Sequence, residues 1–243
     1  MGVIPLGAWD LGLAALLVLA LAMFSWRGRL GVSRSLLVNT ARMAVQLLLI
    51  GLVLETLFQF AALAWVALLA LIMLLFAGRE AVARQHRRLR GWWSYGLGTV
   101  AMFVSSFAVT VLALTVMVRP EPWYQPQYAI PLLGMLLGNT MTGVALGLDR
   151  LTDTAYEQRR VIEAQLILGA TWNTAIAPLR RQAMRSGLMP IINSMAAAGI
   201  VSLPGMMTGQ ILAGAPPLEA VKYQILIMFL IAAGTGFGTM LAV

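Results

Sequence analysis

The sequence predicts an all-α integral membrane protein with seven transmembrane helices, N-terminus outside and C-terminus inside, and one long cytoplasmic region before the sixth span. Three observations predict it. The 243 residues are 60% hydrophobic and only 11% charged, more apolar surface than a soluble domain of this length can hide. Uncharged apolar runs reach the roughly 20 residues that a helix needs to cross a hydrocarbon core. Lysine and arginine fall in short clusters between those runs, which is the pattern of a topology signal.

The first span covers residues 9–26. No positive residue precedes it, and Arg27 and Arg29 follow it, so it reads as an uncleaved helix and not as a signal peptide. The stretch 43–76 carries one charge, Glu55. As one helix its 34 residues would run about 51 Å, too long for one crossing. It therefore divides into spans at 36–55 and 60–77, with a tight turn near Glu55–Phe60. Spans at 92–118, 128–148, 188–212 and 223–243 complete the seven. The loops at 27–42, 79–90 and 149–187 hold four, five and six Lys or Arg residues, and the opposite side holds only Arg119 and Lys222. That asymmetry sets the orientation.

Several functions are set aside by what is missing. Cysteine is absent, which removes thiol catalysis and thiolate metal sites. The one lysine, Lys222, stands between Val221 and Tyr223, so there is no glycine-rich phosphate loop ending in Lys-Ser or Lys-Thr. Lys222 also lies at the mouth of the last span, where a retinal-bearing lysine would lie midway. The lone histidine, His86 in "RQHRRLR", reads as part of a solvated face. Paired carboxylates and Ser-His or Ser-Lys pairs are not found within the spans. The net charge of +8 is scattered among the clusters and does not line one face, so no nucleic acid is expected as a partner.

The region 149–187 is the long cytoplasmic one. It reads as a helix, a break at Gly169-Ala170 and a second helix that Pro178 ends or kinks. Leu166, Ile167 and Ala170 share a face with Glu163. By amphipathicity alone such a helix either rests on the membrane surface or docks in another protein's groove, and the first reading is the plainer one.

The residues add a resemblance. In "EAQLILGA" (163–170), Glu163, Ala164, Gly169 and Ala170 match the EAA loop of ABC importer-type permeases; Gln165 departs from it, as does "IAPLRR" where that family has a Leu-Pro ending. "SMAAAGIVSLPGMMTGQILAGAPPLEAVKYQI" (194–225) resembles the hallmark stretch of the FetB-type permeases, a family with bacterial iron-export subunits and plant aluminium-tolerance relatives. "LGNTMTGVALGLDRL" (137–151) and "RMAVQLLLIGLVLETLF" (42–58) are similar to other parts of it. Members of that family generally carry a short basic tail after the last helix, and this sequence stops at Val243.

The resemblance implies a permease subunit of an ATP-driven exporter of iron or a related metal ion, multi-pass in the cell inner membrane, working as two copies with two copies of a cytosolic ABC ATPase. ATP and magnesium would bind that ATPase, and this chain would hold no cofactor. The ATPase would dock on residues 156–178, with Glu163, Ala164, Gly169, Ala170, Arg159 and Arg160 as coupling residues. The path or gate is expected at Pro204, Gly205, Met206, Met207, Thr208 and Gln210, where Pro204 lacks an N–H and kinks a span, and at Glu55 and Gln46, with Gln59 close to Glu55. Gly134, Gly138, Gly143 and Gly147 recur at four-residue spacings and suit close helix packing, within the chain or between two copies. Asn139, Thr140 and Thr142 on the same span are expected to serve that packing. No metal ligands are assigned. A membrane scaffold that docks a cytosolic partner, and a secondary carrier, remain as alternatives.

Overall fold

A computed structural model of the chain describes residues 7–59, 62–87 and 93–243. Among them every regular element is a helix, apart from one isolated bridge between Ala198 and Ser202. Among the described residues six helices are long and apolar enough to cross a membrane. The described residues divide into two compact units, one up to Gln59 and one from Ala62 onward.

The first unit is a hairpin of α1 (Ala8–Arg27) and α2 (Ser33–Gln59). Asp10 Oδ2 accepts a 2.8 Å hydrogen bond from the Gly7 N–H and holds the start of α1. The turn uses two residues with positive φ, Arg29 at 52° and Gly31 at 73°. Ser33 Oγ donates to Ser25 Oγ at 3.2 Å across it. Leucines 47, 48, 49 and 52 of α2 remain exposed. In water that face would be unstable; in a bilayer it needs no cover. α2 stops at Gln59 and α3 starts at Leu63, so the stretch 43–76 is indeed two helices. Phe60, in the expected turn, lies outside the described residues, as do Arg88, Arg90 and Trp92.

The second unit begins with α3 (Leu63–Ala83). A rod follows from α4 (Trp93–Met102) through a π-helical segment (Phe103–Phe107), α5 (Ala108–Leu112) and a second π segment (Ala113–Val118). Ser105 Oγ donates to Ala101 O at 2.8 Å and Thr110 Oγ1 to Ser106 O at 2.6 Å. Such bonding back to the preceding turn loosens the regular ladder and accompanies wide turns. The centre of the unit is α6 (Pro126–Glu157). Pro126 suits its first turn, where the missing N–H has no partner to lose. α6 continues nine residues beyond the predicted end of the fifth span at 148, because 149–157 carries on the helix into polar sequence. Then come α7 (Arg159–Ile167), α8 (Trp172–Ala197), α9 (Gly205–Leu212) and α10 (Pro217–Ala242).

The core joins Leu74, Met102, Leu133, Leu137, Val144 and Leu148. Its tightest point is a three-helix crossing of small residues. A Cβ on Gly143 would meet Thr235, Thr239 and the Gly187 carbonyl within 3.0 Å; one on Gly147 would meet Val243 and Thr239. Gly134 faces Met73, while Gly138 has open space around its Cα. Small residues are what lets backbones approach this closely in the absence of a hydrophobic drive between helices.

These pairs also give direction. Gly143 and Gly147 of α6 meet residues 235–239 and 239–243 of α10, so the two helices run the same way. They meet Gly187 and Ala183 of α8 in reverse order, so α8 runs back along α6. The chain therefore returns between α6 and α10, as the expected sixth span would, but not as one helix. The predicted span 188–212 is corrected by the structure. α8 already starts at Trp172 and passes through both Pro178 and Pro190, so Pro178 does not end it. The helix stops at Ala197. Residues 198–204 are non-helical, with Gly199 at φ +87°, and Pro204 caps a new helix and does not kink an old one. Pro204 is pre-set for that place, since a proline needs no N–H bond at a helix start and disfavours helix in the residue before it.

Candidate functional site

Two places in the second unit combine exposure, rigidity and polar groups in apolar sequence. The first is the turn between α7 and α8. α7 ends in a glycine stop: Gly169 has φ +88°, its N–H donates to Leu166 O at 3.0 Å, and the Ala170 N–H donates to Gln165 O at 3.0 Å. This pair of bonds is the Schellman arrangement, which requires a left-handed residue. Thr171 then caps α8, its Oγ1 accepting from the Thr174 N–H at 3.3 Å. Between the two helices Ile167 and Leu168 are each 86% exposed. Glu163, Ala164, Arg159 and Arg160 are exposed as well, and Ala170 is half-buried.

This tip is firmly held from below. Ile162, Ala175 and Leu179 form a small core with Leu151, Ala155 and Ile176. With its amide oxygen turned toward Arg150, Gln182 accepts from that guanidinium, tying α6 to α8. The Tyr156 ring lies under two guanidiniums, Arg87 at 3.6 Å and Arg159 at 4.9 Å. The end of α3 is fixed to α6 nearby. His86 N–H donates to Asp149 Oδ1 at 2.7 Å, its Nδ1 lies 3.3 Å from Asp149 Oδ2, and Arg87 pairs with Asp153 at 3.4 Å. His86, Asp149 and Asp153 thus place three ligand-type atoms within 4.8 Å of one another, with the Arg87 cation already against one carboxylate. The histidine is exposed, as its sequence context suggests, but it is engaged with α6.

The second place is the α8–α9 break. A cleft of about 530 Å³ opens there, lined by Met135, Asn139, Ser194, Met206, Gln224 and Met228 among others. A second, also about 530 Å³, has Met195, Pro204, Met207, Gln224 and Met228 in its wall. Of the residues singled out from sequence, Pro204, Gly205, Met206 and Met207 line one or both clefts. Thr208 donates from Oγ1 to Pro204 O at 3.3 Å. Gln210 has a buried Oε1 without a hydrogen-bond partner among the described residues. Asn139 borders the cleft, Thr140 is buried and accepts from Ser106 Oγ at 3.3 Å, and Thr142 bonds to its own helix at Gly138 O. Gln46 and Glu55 lie on α2 of the first unit with exposed side chains. Lys222 is exposed and paired with Glu219 at 2.7 Å.

Sequence reasoning missed Gln224, which both clefts share. Its signal was present: one amide in the apolar run "YQILIMFLIAAG". The span predicted at 223–243 would place it at the membrane mouth. α10 in fact begins six residues earlier, at Pro217, so Gln224 lies two turns inside.

The fold and these sites define a multi-pass integral membrane protein. Comparison with known proteins then gives the family. Residues 8–243 match the model of the Uncharacterised protein family (UPF0014), and the chain belongs to that family. It is 43% identical over 228 residues to the UPF0014 membrane protein slr1647 of Synechocystis sp., covering 92% of this chain and 84% of the relative. It is 33% identical over 238 residues to the Probable iron export permease protein FetB of Escherichia coli, covering 96% and 88%. It is 35% identical over 216 residues to Protein ALUMINUM SENSITIVE 3 of Arabidopsis thaliana, covering 88% and 77%. No solved structure matches it.

Proposed function

We propose that this chain is the membrane-spanning subunit of an ATP-driven exporter of iron or a related metal ion in the cell inner membrane. It pairs with a second copy of itself and is driven by two copies of a separate cytosolic ATPase, which carries the ATP and magnesium. The chain crosses the bilayer seven times with its arginine-rich face in the cytosol, the α8–α9 stretch making the sixth crossing. The name of the Escherichia coli relative supports the cargo and the direction.

The observation that carries the reading is the tip at Ile167–Leu168. Two adjacent aliphatic side chains, each 86% exposed, stand on a capped turn at the end of a helix that opens with Arg159 and Arg160. Free-standing apolar groups on a rigid support are what a partner's groove takes up as anchors. The turn also starts α8, and α8 ends at the clefts. Its 26 residues make a rod of about 39 Å. A push at Trp172 therefore reaches the 198–204 stretch through one helix, and the α6–α8 crossing at Gly143 and Gly187 is its fulcrum. Closure of the ATPases on ATP moves the tip, α8 tilts on that crossing, and the clefts change the side to which they open.

The test is reconstitution in liposomes with the candidate ATPase. Metal-stimulated ATP hydrolysis is expected, and Glu163→Arg is expected to abolish it while the chain remains folded in the bilayer. Metal flux that persists without ATP would instead identify a secondary carrier. ATPase binding with neither flux nor stimulation would identify a scaffold.

A further inference from the structure

We propose that the cleft bordered by Asn139 and Ser194 at the α8–α9 break takes its metal already wrapped in oxyanion ligands, as a carboxylate or phosphate complex of near-zero net charge. The oxygens of that complex seat on the uncapped start of α9 and on the amide of Gln224. This rests on the transport reading above and names the form in which its cargo travels.

α9 (Gly205–Leu212) begins without a side-chain cap. Thr208 is the first of its residues to bond backward, donating to Pro204 O at 3.1 Å; the N–H groups of Gly205, Met206 and Met207 have no partner among the described residues. Such orphan donors stand at the positive end of the helix dipole, and together they form a seat for oxyanions. Pro204, Gly205 and Met206 are in the cleft wall. A Cβ added to Gly205 would meet nothing within 4 Å, so nothing in the protein crowds that start. Gln224 points to a ligand independently. It borders the same cleft and is only 8% exposed. Its Oε1 is sealed from open space, while its amide N–H group reaches that space and makes no hydrogen bond among the described residues. A buried donor left open toward a cavity calls for an acceptor. Asn139 spends one amide N–H on Met135 O at 2.8 Å and keeps the other. Asn193 and Ser202 add a further amide and hydroxyl to the wall. Oxygen acceptors on a ligand satisfy all of these donors.

The net charge follows from the rest of the wall. No Asp, Glu, Lys, Arg or His lines the cleft. A bare iron ion would find no opposite charge here, and hard ions are held by carboxylates or keep their water. A free polyanion would be unbalanced in the same way. In a complex, the carboxylates or phosphates of the ligand cancel the charge of the metal, and what remains outside is a shell of oxygen acceptors. An uncharged wall of N–H and O–H groups fits that cargo. The volume of about 530 Å³ lies within the range of small-molecule sites. The non-helical 198–204 backbone is tolerated in a crossing where it borders such a cavity.

The experiment uses the purified full chain in lipid nanodiscs without any ATPase. The sequence has no cysteine, so Met206→Cys reports occupancy of the cleft through its rate of maleimide labelling, and Ile167→Cys at the α7–α8 tip is the control. The probes are gallium(III) citrate and gallium(III) pyrophosphate, redox-inert stand-ins for iron(III) complexes, beside each ligand without metal and manganese(II) alone. Saturable protection of Met206→Cys by at least one complex is expected, with weaker protection by the metal-free ligand, none by manganese(II) and none at Ile167→Cys. The complex that protects better tells carboxylate from phosphate ligands. Gly205→Pro removes one N–H of the seat and is tolerated at the first position of a helix; Gln224→Leu removes the buried donor. Each is expected to weaken protection about tenfold, Gly205→Pro without a lower melting temperature. If Gln224→Leu does not fold, Gln224→Glu keeps the size, puts a carboxylate where the donor was, and is expected to lose protection as well. Equal protection by manganese(II) or by metal-free ligand, no protection by either complex, a co-purified phospholipid that neither complex displaces, or undiminished protection in the Gly205 and Gln224 variants would each overturn the proposal. ATPase docking is measured separately. A chain that docks its ATPase but shows no protection overturns this site alone, and one that is protected but docks nothing supports the site and overturns the transport reading.

Discussion

The two glycine stops of the second unit have almost the same backbone and different surroundings. Gly169 and Gly199 have φ of +88° and +87°, and each ends a helix at an exposed apolar tip. At the first, Ile167 and Leu168 stand out; at the second, Ile200 and Val201 are 92% and 82% exposed. The wiring differs. Gly169 and Ala170 donate backward into α7 and close it. The Gly199 N–H instead donates forward to Ser202 O at 2.9 Å, while the Ser202 N–H donates back to Ala197 O at 3.1 Å, which folds 198–202 into a small loop. The first stop closes a polar helix that opens with Arg159 and Arg160; the second lies beside clefts with methionines in their walls. One local conformation thus yields an exposed aliphatic tip in polar sequence and a cavity wall in apolar sequence.

Substitutions can break or sharpen that contrast. The largest effect is expected from Ile167→Asp with Leu168→Asp. Charging both anchors should cut ATPase association by about 100-fold or more, read by pull-down or light scattering, with the melting temperature of the membrane chain unaltered. If the melting temperature falls as well, the tip holds the fold together and is not a free anchor. Next is Gly187→Ala at the crossing between them. Its Cβ would lie about 2.5 Å from the Gly143 carbonyl and 2.7 Å from Thr239, and overpacking of this kind costs about 1–3 kcal/mol. A lower melting temperature is expected. So is a loss of metal stimulation of the ATPase beyond any loss of docking, because the fulcrum is displaced.

Gly169→Ala and Gly199→Ala form a matched pair. A side chain held at positive φ costs about 1–2 kcal/mol in either place, so their thermal shifts should agree. Their other readouts should not: the first weakens ATPase docking, and the second leaves docking intact and lowers metal flux in the reconstituted liposomes. Equal loss of both functions in both variants would show that the contrast is only apparent. The smallest effect is expected from Thr171→Ala, which removes the cap of α8 and costs about 1 kcal/mol. A modest drop in melting temperature with slightly weaker docking is the result to look for.

The sequence made some of this plain and hid the rest for identifiable reasons. The split of 43–76 was legible because length alone forbids one crossing, and α2 and α3 follow it. The break at Gly169-Ala170 was legible because a glycine after an amphipathic run has one common use. The end of α8 was not. Leu188–Leu212 reads as continuous apolar sequence, Pro204 drew attention to itself, and Pro178 suggested a stop that the helix passes through. Hydropathy reports which residues tolerate lipid and does not register where a helix yields to a loop. Gln224 was hidden by a misplaced helix start, and it borders clefts beside residues 198–204, which are twenty or more positions away.

Composition and spacing by themselves determined that this chain lives in a membrane, that α2 and α3 are separate helices, and that a polar segment ending in a glycine stop follows α6. These depend on solvent transfer and local backbone geometry, which each stretch carries with it. Only the tertiary structure decided that α8 runs back along α6 while α10 runs beside it in parallel, that Gly143 and Gly187 meet, and that Gln224 shares its clefts with methionines from three other helices. Those outcomes depend on contacts between residues far apart in the chain, and the pattern of one helix does not state what another will bring against it.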